Sequence, residues 1–249
     1  MARFFITLSY NGKNYVGWQI QPNGVSVQQK LQEALSIILR SQVEVVGAGR
    51  TDAGVHASKM IAHFDWNGKA FSCEDMVFKL NSFLPKDIAI LSIVEVKPDA
   101  HARFSAISRT YKYFVTTNKD PFLHELTYRV NFMPDIDKMN ALCPLLIETN
   151  DFTSFSKLHT DVKTNICKIE FAEWELKENM LVFKIKADRF LRNMVRAIVG
   201  TLLEAGRGRL DEKGLNRIIK AKNRQVAGDS APGHALFLDD VQYPVDIWL

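Results

Sequence analysis

The 249-residue sequence predicts an α+β protein whose sheet is mainly antiparallel and flanked by helices, and three observations carry that reading. Residues 3–10 alternate with the period of a half-buried strand, Phe4, Ile6, Leu8 and Tyr10 sharing one face. Strand-forming and amphipathic segments follow one another as β-α-β-β-α-β up to about residue 100, with a second set of similar type behind them. Glu178-Asn179 separates two strand-like runs at hairpin spacing.

In chain order, Asn11-Gly12 turns the chain out of the first strand. Ser26 with Gln29 has the form of a capping box, and Leu31, Ala34, Leu35, Ile38 and Leu39 recur at helical spacing, giving a helix over about 26–40. Val43 to Val46 reads as a β-branched strand entering a Gly-rich loop, and a second strand, about 58–66, leaves it. A helix over about 73–83 stops before Pro85, and 88–96 is again strand-forming. The second set holds a strand at 108–117, a helix near 135–147 and a hairpin pairing 166–177 with 180–187. Leu191, Met194, Val195, Ile198, Val199, Leu202 and Leu203 then form a regular helical stripe ending at Gly206 and Gly208. A shorter helix at 211–221 and a strand at 236–243 finish the chain, and the division expected is 1–104 and 105–249. No repeat between the halves and no low-complexity linker is visible.

Composition is that of an ordinary folded protein, 47% hydrophobic and 24% charged. The N-terminal apolar stretch is too short for a secretion signal, and no run reaches the ~18 apolar residues that would span a bilayer, so a cytoplasmic protein without membrane partners is expected. Cys73, Cys143 and Cys167 are too few and too scattered for a disulfide framework or zinc half-site, and read as small buried hydrophobes. The six histidines, His56, His63, His101, His124, His159 and His234, lack the H-E-x-x-H spacing, so no metal is expected. Net charge is +4, but residues 184–224 hold twelve Lys or Arg against four Asp or Glu. Such a stretch suits a polyanion; on charge alone a solvated helix face is the better account.

The most informative segment is the loop 47–57, Gly-Ala-Gly-Arg-Thr-Asp-Ala-Gly-Val-His-Ala, where glycines allow close approach of a ligand around one carboxylate, Asp52. It lacks the Gly-Lys-Ser/Thr of a phosphate-binding loop and does not open a helix as a dinucleotide fingerprint would. Taken alone, an aspartate capping its own turn explains it best.

Gly49-Arg50-Thr51-Asp52-Ala53-Gly54-Val55-His56 nevertheless resembles the catalytic signature of the tRNA pseudouridine synthase A family (TruA). Further likenesses follow in order: Tyr10-Asn11-Gly12 to Gly17-Trp18-Gln19, His101-Ala102-Arg103-Phe104, Ser108-Arg109-Thr110-Tyr111-Lys112-Tyr113, Asp151-Phe152 to Phe155-Ser156, Phe190 to Leu202, and Val241-Gln242-Tyr243-Pro244. Asn11, Gln29, Arg192 and Ala235 depart from the family's usual residues, all outside the loop.

The resemblance implies the pseudouridine synthase fold, two similar halves joined in one mainly antiparallel sheet around a central RNA-binding cleft. It implies a cofactor-free isomerisation of uridine in the anticodon arm of tRNA, at positions 38–40, by a homodimer. Asp52 would act beside the sugar and base, as nucleophile at C6 or C1′ or by removing a sugar proton, much as glycosidases use carboxylates. Desolvation would raise the pKa of that carboxylate, so a cation is required. Arg196 is the candidate: at about 100° per residue, with Met194 at zero, the apolar arc centres near 80° and Arg196 falls near 200°, at its border. Tyr111 would stack on the target base and take its C5 proton, and Arg50 would either fill the space left by the extruded uridine or hold the flipped phosphate. Arg189, Arg192, Arg207, Arg209 and Lys213 would track RNA phosphates. His56 is expected to shape the loop, and Tyr113 to be core. The alternatives are a non-catalytic RNA-binding protein that keeps the fold, and a phosphate-handling hydrolase, which the missing Lys and metal ligands disfavour.

Overall fold

The computed structural model describes residues 1–157 and 164–249, which divide into two compact units: Met1–Ile107 with Phe237–Leu249, and Ser108–Leu236. His159 lies outside the described residues. Each unit is a mainly antiparallel sheet with flanking helices, so the α+β reading holds.

In the first unit β1 (Ala2–Tyr10) lies between β4 (Ile88–Val96) and β3 (His56–Trp66), antiparallel to both. Phe4, Ile6, Leu8 and Tyr10 all point into the core, as their alternation requires. β4 keeps Ile90 and Ile93 with this layer by a bulge at Leu91, since Leu8 pairs with Ile90 and Thr7 with Ser92. The apolar stripes of α1 (Val27–Leu39; Val27, Leu31, Ala34, Leu35) and α2 (Cys73–Phe83; Met76, Leu80) are buried. Ser26 caps α1 by accepting from Gln29 N at 3.1 Å, while the Gln29 amide donates forward to Glu33.

The expected strand over 43–46 is a correction: β2 is only Val46–Gly47, paired with His63 and Ala62. Val43 and Val45 are buried, but their backbone bonds to side chains of α1 instead of a strand. Ser36 Oγ accepts from Val43 N, Gln32 Oε1 accepts from Val45 N, and Gln28 Nε2 donates to Val45 O. Residues 28, 32 and 36 share one helix face, so the β-branched segment lies along that polar row.

Phe5, on the opposite face of β1, is buried too. Its cover is His63, Tyr243 and Trp248, ring centroids 6.2, 5.2 and 5.7 Å away. Tyr243 OH donates to Ala102 O, and β9 (Leu236–Gln242) pairs in parallel with the start of β3, His56 opposite Phe237. The last strand thus completes the first unit.

In the second unit β8 (Met180–Ala187) lies between β5 (Ser108–Thr116) and β7 (Ile169–Lys177), antiparallel to both. The β7–β8 turn is the expected one, Glu178 and Asn179 both at positive φ. β7 begins at Ile169 rather than 166, and β6 (Tyr128–Arg129), parallel to β5, is too short to leave a pattern. The helices are α3 (Ile136–Glu148), α4 (Met194–Gly206) and α5 (Glu212–Ala221). Leu191 is buried with the α4 stripe but precedes the helix, because Asn193 at φ 66 interrupts the helical backbone.

Both units cover an edge strand with the same device. The Asn81 amide of α2 donates to Ile90 O and accepts from Ile90 N, and Asn140 of α3 does the same for Trp174 on β7. Each clamp satisfies strand groups that an edge would leave open.

Candidate active site

The loop between β2 and β3 is held from below by the segment 10–18. Tyr10 OH and Thr51 Oγ1 share a buried hydrogen bond of 2.9 Å, and Trp18 N donates to Thr51 O at 3.2 Å. Gly54 N donates to Tyr15 O, and Gly12 N to His56 Nδ1 at 3.0 Å. A side chain at Gly17, whose φ is +113, would put Cβ 2.3 Å from Thr51 O. Only glycine allows that approach. Thr51 is therefore anchored inward while Arg50 is exposed and Asp52 half-buried. A tight turn follows, Val55 N donating to Asp52 O with Gly54 at φ +75.

His56 is 2% exposed, stacks on Phe237 at 4.5 Å and uses Nδ1 as the acceptor for Gly12, so it shapes the loop. The motif Tyr10-Asn11-Gly12 to Gly17-Trp18 was legible as a pattern. Its task, forming the floor under Asp52, was not, because the contacts join positions about 40 residues apart.

In the second unit Tyr111 points with Tyr113 and Val115 into the core layer of β5. It is 9% exposed, with its ring edge-on to Phe190 at 5.1 Å, so packing fixes its orientation. Tyr113 is wholly buried and donates to Pro232 O at 2.8 Å; burial and the neighbouring Tyr128 push its pKa up, and Arg196 opposes that shift. Arg196 sits in the first turn of α4, half-buried among buried neighbours. Its Nε donates to Ala231 O at 2.7 Å, and its own carbonyl accepts from Ala231 N at 3.0 Å.

The other expected phosphate contacts separate into two groups. Arg189 and Arg192 lie just before α4, Arg189 N donating to Asp188 Oδ1 and Arg192 O accepting from Lys157 N. Arg207 and Arg209 lie past the other end of α4, about 16 Å from Arg196 at ~1.5 Å per residue. Both pair with Glu204, at 3.1 and 3.5 Å, and the Arg207 guanidinium covers the Phe132 ring at 4.1 Å. They line an open hollow of about 480 Å³ with Asn131, Phe132, Met133 and Gly206. Lys213 is exposed in the first turn of α5. Several basic residues in 184–224 meet carboxylates within the unit, among them Lys186 with Glu170, Lys222 with Asp151, and both arginines with Glu204.

Burial pushes the thiols of Cys143 and Cys167 up to about 12, while Cys73, at the start of α2, is only half-buried. Among the described residues no cluster of three or more His, Cys, Asp or Glu is placed to hold a metal ion, and no helix is long and apolar enough to cross a membrane.

The family pattern described as tRNA pseudouridine synthase matches residues 6–105 and 143–244. Among similar proteins, one called tRNA pseudouridine synthase A from Parabacteroides distasonis is 61% identical over 248 residues, covering 100% of this chain and 98% of its own length. The protein of that name from Bacteroides fragilis is 57% identical over 249 residues, with 100% and 99% covered. The one from Bacillus subtilis is 38% identical over 245 residues, with 97% and 99% covered.

Proposed function

Because the chain belongs to the tRNA pseudouridine synthase family, and is thus an isomerase, we propose that it converts uridine to pseudouridine in the anticodon stem-loop of tRNA, at positions 38–40. The reaction breaks the C1′–N1 bond, turns the base and joins C1′ to C5; the proton leaving C5 is balanced by one gained at N1. No group is added or lost, so the chemistry needs only charge placement, base handling and exclusion of water.

The observation that carries this reading is the way the Asp52 loop is built. Five contacts from residues 10–18 hold Thr51, Gly54 and His56 in place beneath a half-buried carboxylate. An aspartate that merely capped its own turn would not need that floor, whereas an electrostatic catalyst depends on a preorganised one. In this reading Asp52 acts at the junction of sugar and base, Tyr111 stacks on the uracil and takes the C5 proton, and Arg196 supplies the positive charge that keeps Asp52 ionised. Arg50 holds the extruded nucleotide, and Arg189, Arg192, Arg207, Arg209 and Lys213 meet phosphates. The central cleft and the homodimer rest on the family resemblance, and the cytoplasmic setting on the sequence reading of the N-terminal stretch and apolar runs.

The test uses tRNA tritiated at uridine C5. Wild-type protein releases label, and Asp52→Ala releases none while still binding tRNA; mapping the product places it at positions 38–40. Binding without release by the wild type would make the chain an RNA-binding protein, and pseudouridine elsewhere in the tRNA would remove the anticodon assignment.

A further inference from the structure

Arg196 is oriented by a segment of chain distant in sequence. The backbone of Gly228–Pro232 lies directly against α4, close enough that a Cβ at Gly200 would sit 1.7 Å from Asp229 O. Thr201 Oγ1 accepts from Gly228 N at 3.0 Å at one end, and Pro232 O accepts from Tyr113 OH at the other. Between these anchors Ala231 bonds Arg196 twice, its carbonyl to Nε and its amide to the Arg196 carbonyl.

Ser230 is where two further side chains converge: Asn193 Nδ2 donates to its hydroxyl oxygen at 2.6 Å and Arg224 Nη2 at 2.7 Å. Arg224 also reaches Ala227 O, at 3.4 Å. The Arg224 guanidinium is half-buried against this serine, and burial lowers its pKa while the nearby Asp229 opposes that shift.

We infer that Arg224 and Asn193, acting through Ser230, are positioning residues for Arg196: they seat the segment whose Ala231 carbonyl aims the guanidinium. The inference rests on the catalytic part proposed for Arg196. It adds that the aim of this side chain is set outside α4, by a serine held from two directions.

The experiment compares tRNA turnover and thermal unfolding for Arg224→Met, Ser230→Ala and Asn193→Gly, each alone and combined with Arg196→Met. Asn193→Gly keeps a residue suited to φ 66 while removing the side chain that reaches Ser230, so it serves if Arg224→Met folds poorly. Expected are falls in kcat of about tenfold, as small misplacements of catalytic groups produce, with KM within about twofold of wild type. On the Arg196→Met background the same changes should leave kcat where Arg196→Met put it, while still lowering the unfolding midpoint. Ser230→Thr, which keeps the hydroxyl, should restore turnover. Losses that multiply with Arg196→Met, or a raised KM with unchanged kcat, would overturn the inference. If Arg196→Met is slow and Arg224→Met, Ser230→Ala and Asn193→Gly turn over like wild type, the inference alone fails; if Arg196→Met itself is as fast as wild type, the role of Arg196 falls and the inference with it.

Discussion

Gly17 carries more structural information than its side chain suggests. Its φ of +113 and the 2.3 Å that would separate an added Cβ from Thr51 O mean that any other residue must push the Asp52 loop away. Gly17→Ala is therefore expected to cost about 1–3 kcal/mol in backbone strain and to lower kcat, since the displaced atoms adjoin the carboxylate. Tyr10→Phe provides the comparison. It removes one buried hydroxyl and leaves Thr51 Oγ1 without that partner, a loss of about 1–3 kcal/mol without forced movement of the backbone. Urea unfolding and turnover of both variants decide the matter: a kcat loss in Gly17→Ala larger than in Tyr10→Phe at similar stability supports the floor under Asp52, and an unchanged kcat in Gly17→Ala counts against it. The carboxylate could be picked out from a local run of eight residues. The residues that hold it could not, because glycine tolerance to close approach becomes visible only when the approaching backbone is known.

Elements were readable where one local rule decided them. The helix expected over about 73–83, with its stop before Pro85, lies over Cys73–Phe83, and the structure adds its cap, Ser72 Oγ accepting from Asp75 N. Where local and distant partners competed, the distant ones won: Val43–Val45 bonds to α1 side chains, and Asn193 halts the backward extension of α4. The turn after β4 adds another such case. His63 of β3 accepts from Ala102 N at 3.1 Å, and His101 Nδ1 accepts from Arg103 N at 3.1 Å, so neutral imidazoles hold the His101–Ser105 turn. Burial first, then Arg3 and His101, lowers the His63 pKa to about 4 from 6.5. The unfolded chain thus binds a proton near pH 6.5 that the folded chain refuses until near pH 4. The stability from neutral His63 is complete above 6.5 and drains away as pH falls through that window, reaching a loss of about 2 kcal/mol by pH 5. In His63→Gln, whose amide oxygen can still accept from Ala102 N, urea unfolding should lose correspondingly less between pH 7.5 and 5. A variant as acid-sensitive as wild type would exclude His63 as the cause.

At the scale of the whole chain, a single division after residue 104 is what the order of elements suggests, yet Phe237–Leu249 belongs with the first unit. No local pattern announces such a return. Parallel pairing of β9 with β3 joins positions about 180 residues apart, and the apolar residues of 236–248 would suit any sheet equally well. The tail contributes Phe237 to the His56 ring, Asp240 to Lys59 at 2.7 Å, Tyr243 to Ala102 O, Ile247 O to Lys97 N, and Trp248 to the cover over Phe5. Ending the chain after Gln242 would keep β9 and remove Tyr243 and Trp248, exposing the buried Phe5; because both lost rings are themselves partly exposed, the cost stays below the roughly 3–5 kcal/mol of deleting a fully buried aromatic. Amide hydrogen exchange on the shortened protein should show protection falling first in β1, β3 and β4, while β5, β7 and β8 keep theirs. Because the tail also supports the turn that begins at His101, the same truncation should raise the acid sensitivity assigned to His63. Uniform loss of protection across both sets of strands would mean that the two units open as one, and that the tail stabilises the whole chain rather than the unit it completes.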